Sequence, residues 1–186
     1  HYAFRVGYEN CRSLGKAWTI AADFDGDGDI DLLEVPQQLG LRSEVTARSG
    51  RDGKVLWRAC VNTQVNQSHC APVEGDLDGD RTPDVLLFNT VSLSPSVRCP
   101  LHAISGRTGK VLWSADAPPG DTDRLLFVDS QDLAGDGRPE IICVATAHLG
   151  SSTNAALWLA VLSGRGGNII WRQPIAQSGP AVLDVD

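Results

Sequence analysis

Two unrelated motifs recur along this chain in one shared phase, and no other feature constrains its fold as strongly. The first is an aspartate-glycine loop entering an apolar run: Ala21-Ala-Asp-Phe-Asp-Gly-Asp-Gly-Asp-Ile-Asp-Leu-Leu-Glu-Val35. It returns as Glu74-Gly-Asp-Leu-Asp-Gly-Asp-Arg-Thr-Pro-Asp-Val-Leu-Leu-Phe88 and as Ser130-Gln-Asp-Leu-Ala-Gly-Asp-Gly-Arg-Pro-Glu-Ile-Ile-Cys-Val144, and a fourth copy begins at Ala181-Val-Leu-Asp-Val-Asp186. The second motif is Ser49-Gly-Arg-Asp-Gly-Lys-Val-Leu-Trp57, repeated at Ser105 to Trp113 and Ser163 to Trp171. The leading aspartates Asp23, Asp76, Asp132 and Asp184 lie 53, 56 and 52 residues apart, and the tryptophans 56 and 58 apart.

Each repeat reads as four short strands bounded by Gly, Pro, Asp or Ser. In the second they are expected near Ala71–Gly75, Asp84–Asn89, Leu101–Ile104 and Lys110–Ala115. The Ser-Gly-Arg-x-Gly segment is a hairpin turn whose glycines supply positive φ. No long 3.6-period helix competes. Four strands in about 50 residues is the unit of a β-propeller blade. The expected fold is therefore all-β: about three four-stranded blades of one propeller plus the start of another. Repeats start near residues 21, 74, 130 and 181, and residues 1–16 read as the end of a preceding blade. Three blades do not close a ring, and open sheet edges invite association. The remainder of a propeller is therefore expected as a partner.

The formal net charge is −7 over 186 residues, which speaks against a nucleic-acid binder. No apolar run is long enough to cross a membrane as a helix, so any membrane link is expected only through regions outside this stretch. Fourteen of the 23 acids sit in the four loop clusters, so the charge belongs to the loops and points to bound cations. Asp23, Asp25, Asp27 and Asp31 occupy loop positions 1, 3, 5 and 9; Asp76, Asp78, Asp80 and Asp84 repeat them. Alternating carboxylates on a tight loop converge hard oxygen ligands, which suits Ca²⁺, and a main-chain carbonyl at position 7 (Asp29, Thr82) adds another. The third loop keeps Asp132, Asp136 and Glu140 but has Ala134 at position 3, so weaker binding or none is expected there. Asp184 and Asp186 begin the fourth. Asp23 to Glu34 also fits an EF-hand loop, but position 12 becomes Leu87 and Cys143 in the later copies and the flanks are β-type. Asx-rich turns holding no metal are the bland alternative.

The loops and their phase resemble the FG-GAP/VCBS repeats of integrin-alpha-type seven-bladed propellers. The Asp-x-Asp-x-Asp-Gly-x-x-Asp outline of that family is similar to the runs from Asp23 and Asp76, the second departing at Arg81. The Ser-Gly-x-x-Gly-x-x-x-Trp hairpin looks like that of quinoprotein-type propellers and of integrin-alpha FG-GAP repeat-containing membrane proteins. This resemblance implies a seven-bladed, calcium-binding propeller. It says little of function, because unrelated functions share one fold.

Cys60 and Cys70 flank a polar connection and are the expected disulfide. Cys143 reads as a buried free thiol, and Cys11 and Cys99 remain open. Asn66-Gln67-Ser68 is a glycosylation sequon, so an extracellular protein or the ectodomain of a membrane protein is expected. No catalytic constellation is present: the four histidines are scattered, and neither a nucleophile elbow nor a phosphate-cradling loop occurs. The leading expectation is a non-enzymatic, calcium-binding module for adhesion or protein recognition through propeller loops. The alternatives are a blade segment of a calcium-containing lyase or quinoprotein-type enzyme, and a structural module of an extracellular or ciliary-surface assembly. Trp57, Trp113 and Trp171 are expected to pack between blades.

Overall fold

The computed structural model describes residues 17–36, 43–61, 68–72, 75–89, 101–115, 124–148 and 155–177. These form twelve strands in three separate four-stranded antiparallel sheets. Blade 1 holds β1 (Ala17–Ala22), β2 (Asp31–Pro36), β3 (Ser43–Arg48) and β4 (Val55–Val61). Blade 2 holds β5 (Ser68–Pro72), β6 (Val85–Asn89), β7 (Leu101–Ile104) and β8 (Val111–Ala115). Blade 3 holds β9 (Arg124–Gln131), β10 (Glu140–His148), β11 (Ala155–Leu162) and β12 (Ile169–Gln177). Each sheet runs in chain order, and the blades meet near their first strands, where β5 lies against β1 and β9 against β6. The chain is a β-propeller fragment, and no helix occurs among the described residues.

The sequence periodicity explains the stacking. Successive strand residues point to opposite faces, and both faces of blade 2 are apolar. Val85, Leu87 and Ile104 pack with Leu33, Val45 and Trp57 of blade 1. Leu86, Leu101 and Trp113 face the other way and pack with Ile141, Ala160 and Leu162 of blade 3. A one-residue slip in β6 would exchange these two faces, so burial on both sides pins its register.

The hairpins repeat in detail. Ser49, Ser105 and Ser163 each accept from the glycine four residues on at 2.8 Å, and their N–H groups donate to Lys54, Lys110 and Asn168 at 2.9 Å. The closing glycines have φ of 71°, 70° and 69°, a region an L-residue enters at a cost of about 1–2 kcal/mol. Two of the three repeated tryptophans bridge blades as expected. Trp57 Nε1 donates to the Gly106 carbonyl and Trp113 Nε1 to that of Gly164, both at 2.6 Å.

Three expectations change. The first strand of blade 2 is Ser68–Pro72 rather than Ala71–Gly75, because polar Ser68 and His69 pair through their backbones with Asn89 and Phe88. The first strands of all three blades, beginning at Ala17, Ser68 and Arg124, lie ahead of the aspartate loops, so each blade starts before the repeats near residues 21, 74 and 130. The Cys60–Cys70 disulfide is not formed, and Cys60 is an exposed free thiol. Cys60 lies on the last strand of blade 1, whereas Cys70 lies on β5, which packs near β1 at the other edge. Three strand spacings of about 4.8 Å separate those edges, beyond the Cα separation of roughly 7 Å that a disulfide spans. Cys143 is free and buried, as expected, and burial pushes its thiol up to about 12. Asn66, Cys11, Cys99, Asp184, Asp186 and residues 1–16 lie outside the described residues.

Candidate metal centre

Each aspartate loop joins the first two strands of a blade, and side chains at both its ends close it. The position-1 aspartate accepts from the loop backbone. Asp23 takes Gly26 N at 2.8 Å and Gly28 N at 3.1 Å. Asp76 takes Gly79 N, Asp80 N and Arg81 N, and Asp132 takes Gly135 N, Asp136 N and Gly137 N. The position-9 acid accepts from the start of the loop. Asp31 Oδ2 takes Phe24 N at 2.9 Å, Asp84 Oδ2 takes Leu77 N at 2.7 Å and Glu140 Oε2 takes Leu133 N at 2.8 Å. All three position-9 acids are buried.

The second motif completes this closure. Gly50 N donates to the other oxygen of Asp31, and Gly106 N to that of Asp84, both at 3.0 Å. A Cβ on Gly50 would stand 1.7 Å from the Ile30 carbonyl oxygen; on Gly106, 1.8 Å from that of Pro83; and on Gly164, 1.9 Å from that of Pro139. Only glycine lets the hairpin approach so closely. The two motifs keep phase because they meet at this contact.

Positions 1, 3 and 9 converge in the first two loops. One carboxylate oxygen from each of Asp23, Asp25 and Asp31 lies within 4.8 Å of the other two, and Asp76, Asp78 and Asp84 repeat the arrangement. Three carboxylates at that span can close on one hard cation of Ca²⁺ size, with carbonyls or water completing the shell. Asp27 and Asp80, at position 5, stand outside these triads. Asp27 accepts from Asp29 N at 2.8 Å, and Asp80 from Thr82 N at 2.9 Å and Thr82 Oγ1 at 2.6 Å. Among the described residues, Asp132, Asp136 and Glu140 form no such triad. That is the consequence of Ala134, since the rest of the third loop closes normally. The EF-hand alternative fails. Strands flank the loop, and Glu34 points outward from β2, 3.2 Å from Arg48.

The electrostatics follow the geometry. Burial raises Asp84 to about 6, with Asp78 and Asp80 adding to the rise and the N–H groups of Gly106 and Leu77 opposing it. Asp25 is raised by desolvation and by Asp31, Asp27 and Asp23 around it. Burial also pushes Asp76 up, but hydrogen bonds from Arg81, Gly79 and Asp80 outweigh it and leave it below the usual range. Burial thus holds the carboxylate at the bottom of the second loop against ionisation.

Arginines that sequence reasoning took for turn residues link the loops. Arg107, from the blade 2 hairpin, donates to the carbonyls of Asp80 at 3.3 Å and Asp25 at 3.4 Å, spanning two adjacent loops. Arg138 Nη1 donates from the third loop to Leu77 O in the second at 3.1 Å. Arg51 lies 3.1 Å from Asp29 and 3.9 Å from Asp27. The signal was the arginine retained in all three hairpins, at Arg51, Arg107 and Arg165.

A family model described as the FAM234A/B beta-propeller matches residues 43–182, well over half of the chain. The chain belongs to the FAM234A/B β-propeller family. Membership agrees with the three sheets, and it carries the propeller rather than the narrower integrin-type FG-GAP identity. No curated protein matches the chain.

Proposed function

We propose that this FAM234A/B-type propeller segment binds Ca²⁺ at two neighbouring loops and uses the cations to hold a rigid loop face for recognition of a protein partner outside the cell. One observation carries the calcium reading. The third loop closes through Asp132, Asp136 and Glu140 with Ala134 at position 3, so the turn forms without a carboxylate there. Asp25 and Asp78 accept from Asp27 N and Asp80 N, and each also brings an oxygen within 4.8 Å of two other carboxylates. Such crowding raises the free energy of the metal-free state and is relieved by a divalent cation. Asp23 and Asp31, with Asp76 and Asp84, complete the two sites. The carbonyls of Asp29 and Thr82 and the carboxylates of Asp27 and Asp80 are the further oxygens within the same loops.

The recognition reading rests on the loop surface and on the resemblance to integrin-type FG-GAP repeats. Loops from successive blades, linked by Arg107 and Arg138, make one broad face that a rigid scaffold presents to a partner. Free calcium at extracellular, millimolar levels matches the exposed character of the loops.

Thermal melts with calcium and with chelator test the first part. Binding only to the folded chain raises stability by about 2.7 kcal/mol at a hundredfold excess over Kd. Equal midpoints in the two buffers overturn the calcium assignment.

A further inference from the structure

The two loops that carry carboxylate triads are also the two that one side chain joins. Arg107, from the blade 2 hairpin, donates through Nη1 to the Asp80 carbonyl at 3.3 Å and through Nη2 to the Asp25 carbonyl at 3.4 Å. Asp25 belongs to blade 1 and lies 82 residues earlier in the chain. It supplies the position-3 carboxylate of the first triad, and Asp80 holds position 5 of the second loop, where its carboxylate takes Thr82 N. The loops also lie side by side. A Cβ on Gly26 would stand 3.5 Å from Thr82 Cγ2 and 3.8 Å from Arg107 Nη2. That methyl contact has no directional preference, whereas a guanidinium is planar and fixes two acceptors at once.

The other loop arginines act differently. Arg51 reaches Asp27 and Asp29 within a single loop. Arg138 ties the third loop to Leu77 in the second, and the third forms no triad among the described residues. Closing a loop on a cation fixes its backbone, Asp25 or Asp80 included. Ordering a loop and a long side chain costs conformational entropy. The first cation fixes one carbonyl and with it the guanidinium, so the second loop closes against a partner already in place and costs less to order. Repulsion between the two cations opposes this, and salt weakens it over a Debye length of about 8 Å at 0.15 M.

We propose that Arg107 couples the two calcium loops, so that filling one raises the affinity of the other. The proposal rests on the calcium reading above. Arg107 is a positioning residue, because it bonds main-chain carbonyls of the two loops and not the cation. The pair of loops then responds to calcium more steeply than either does alone, and the loop face of blades 1 and 2 is ordered in one step.

Calcium calorimetry on the full chain at 0.15 M salt is the test. Asp25→Ala leaves the second loop to bind alone, and Asp78→Ala leaves the first. The second binding step of the wild type is expected to be at least about fivefold tighter than the same loop in its single-site variant, the lower end of usual coupling. Arg107→Ala should remove that difference, and so should Arg107→Lys, which keeps the charge but not the fork. Arg107 is exposed, so both variants are expected to fold, which circular dichroism checks. Hydrogen exchange over residues 76–84 gives a readout separate from affinity. In Asp78→Ala, calcium in the first loop should slow exchange in the second, and adding Arg107→Ala should abolish the slowing. Two bound cations without the affinity difference, or a difference that survives in either Arg107 variant, overturns the coupling and leaves the calcium reading standing. If the wild type binds no calcium, both fall.

Discussion

Asp84 shows how one buried acid ties the loop to pH. Its native pKa of about 6 lies above the ordinary 3.8. The native state therefore holds a proton that the unfolded chain has lost, and stability falls as pH rises through that window. The contribution is complete below about pH 4 and gone above about pH 6, a change of at most about 3 kcal/mol. Asp76, held below its usual range, acts in the opposite sense and only below pH 4. In chelator, urea-unfolding free energy is expected to drop between pH 4 and 6, and calcium should flatten the drop by favouring the ionised carboxylate. An unchanged slope in Asp84→Asn would show that another group sets it. Arg81 is a second residue with a conformational cost: its φ is 71°, where the first and third loops have Gly28 and Gly137 at 93° and 86°. Replacing it with glycine relieves about 1–2 kcal/mol of strain and gives back about 0.5–1 in unfolded-chain entropy. Arg81→Gly is expected to raise the urea midpoint modestly, and a lower midpoint would show that the arginine side chain contributes more than its backbone costs.

Among the elements, the β-hairpin with its tryptophan is the joint between blades. Trp113 is buried, bonded to Gly164 and packed on Gly167. Trp113→Ala is expected to cost about 3–5 kcal/mol, whereas Trp171→Ala, at an exposed indole, should cost well under half as much in denaturant titration. Similar losses at the two positions would mean that the indole acts within its own sheet. The aspartate loop is the other element, and its two tasks separate. Positions 1 and 9 accept most of the hydrogen bonds that hold the turn; position 3 accepts one further N–H and completes the carboxylate triad. Ala134→Asp is expected to add a third binding event in calorimetry. Asp25→Ala and Asp78→Ala should each remove one. If none of the three alters binding, the loops are turns and nothing more.

For the whole molecule, the packing of blade on blade organises the surface. Exposed apolar side chains are spread over the blades, with Leu32 and Val55 on blade 1, Val111 on blade 2 and Leu133 and Trp171 on blade 3, and two ion pairs lie beside Leu32 on blade 1. Each such pair contributes little to stability. Calcium is expected to act at the same scale. Arg107 reaches carbonyls in two loops, so cations in both should stiffen the contact between blades 1 and 2 as one unit.

The sequence by itself determined the repeat, the strand count, the hairpin turns and the identity of the loop acids, because each is written in short-range spacing. Glycine with positive φ, period-2 alternation and Asx turns are local physics, and they act alike in every copy. Only the tertiary structure decided the rest. Ser68 and His69 became strand through backbone pairing that no side-chain pattern marks. Cys60 and Cys70, close in the chain, fell on opposite edges of neighbouring sheets. Arg107 met Asp25 although 82 residues separate them. Glu34 and Arg48 read as ordinary surface charges until strand register set them opposite Leu87 and Ile104 as counterparts. Such relations depend on distances between segments remote in sequence, and stacking of the blades is what sets those distances.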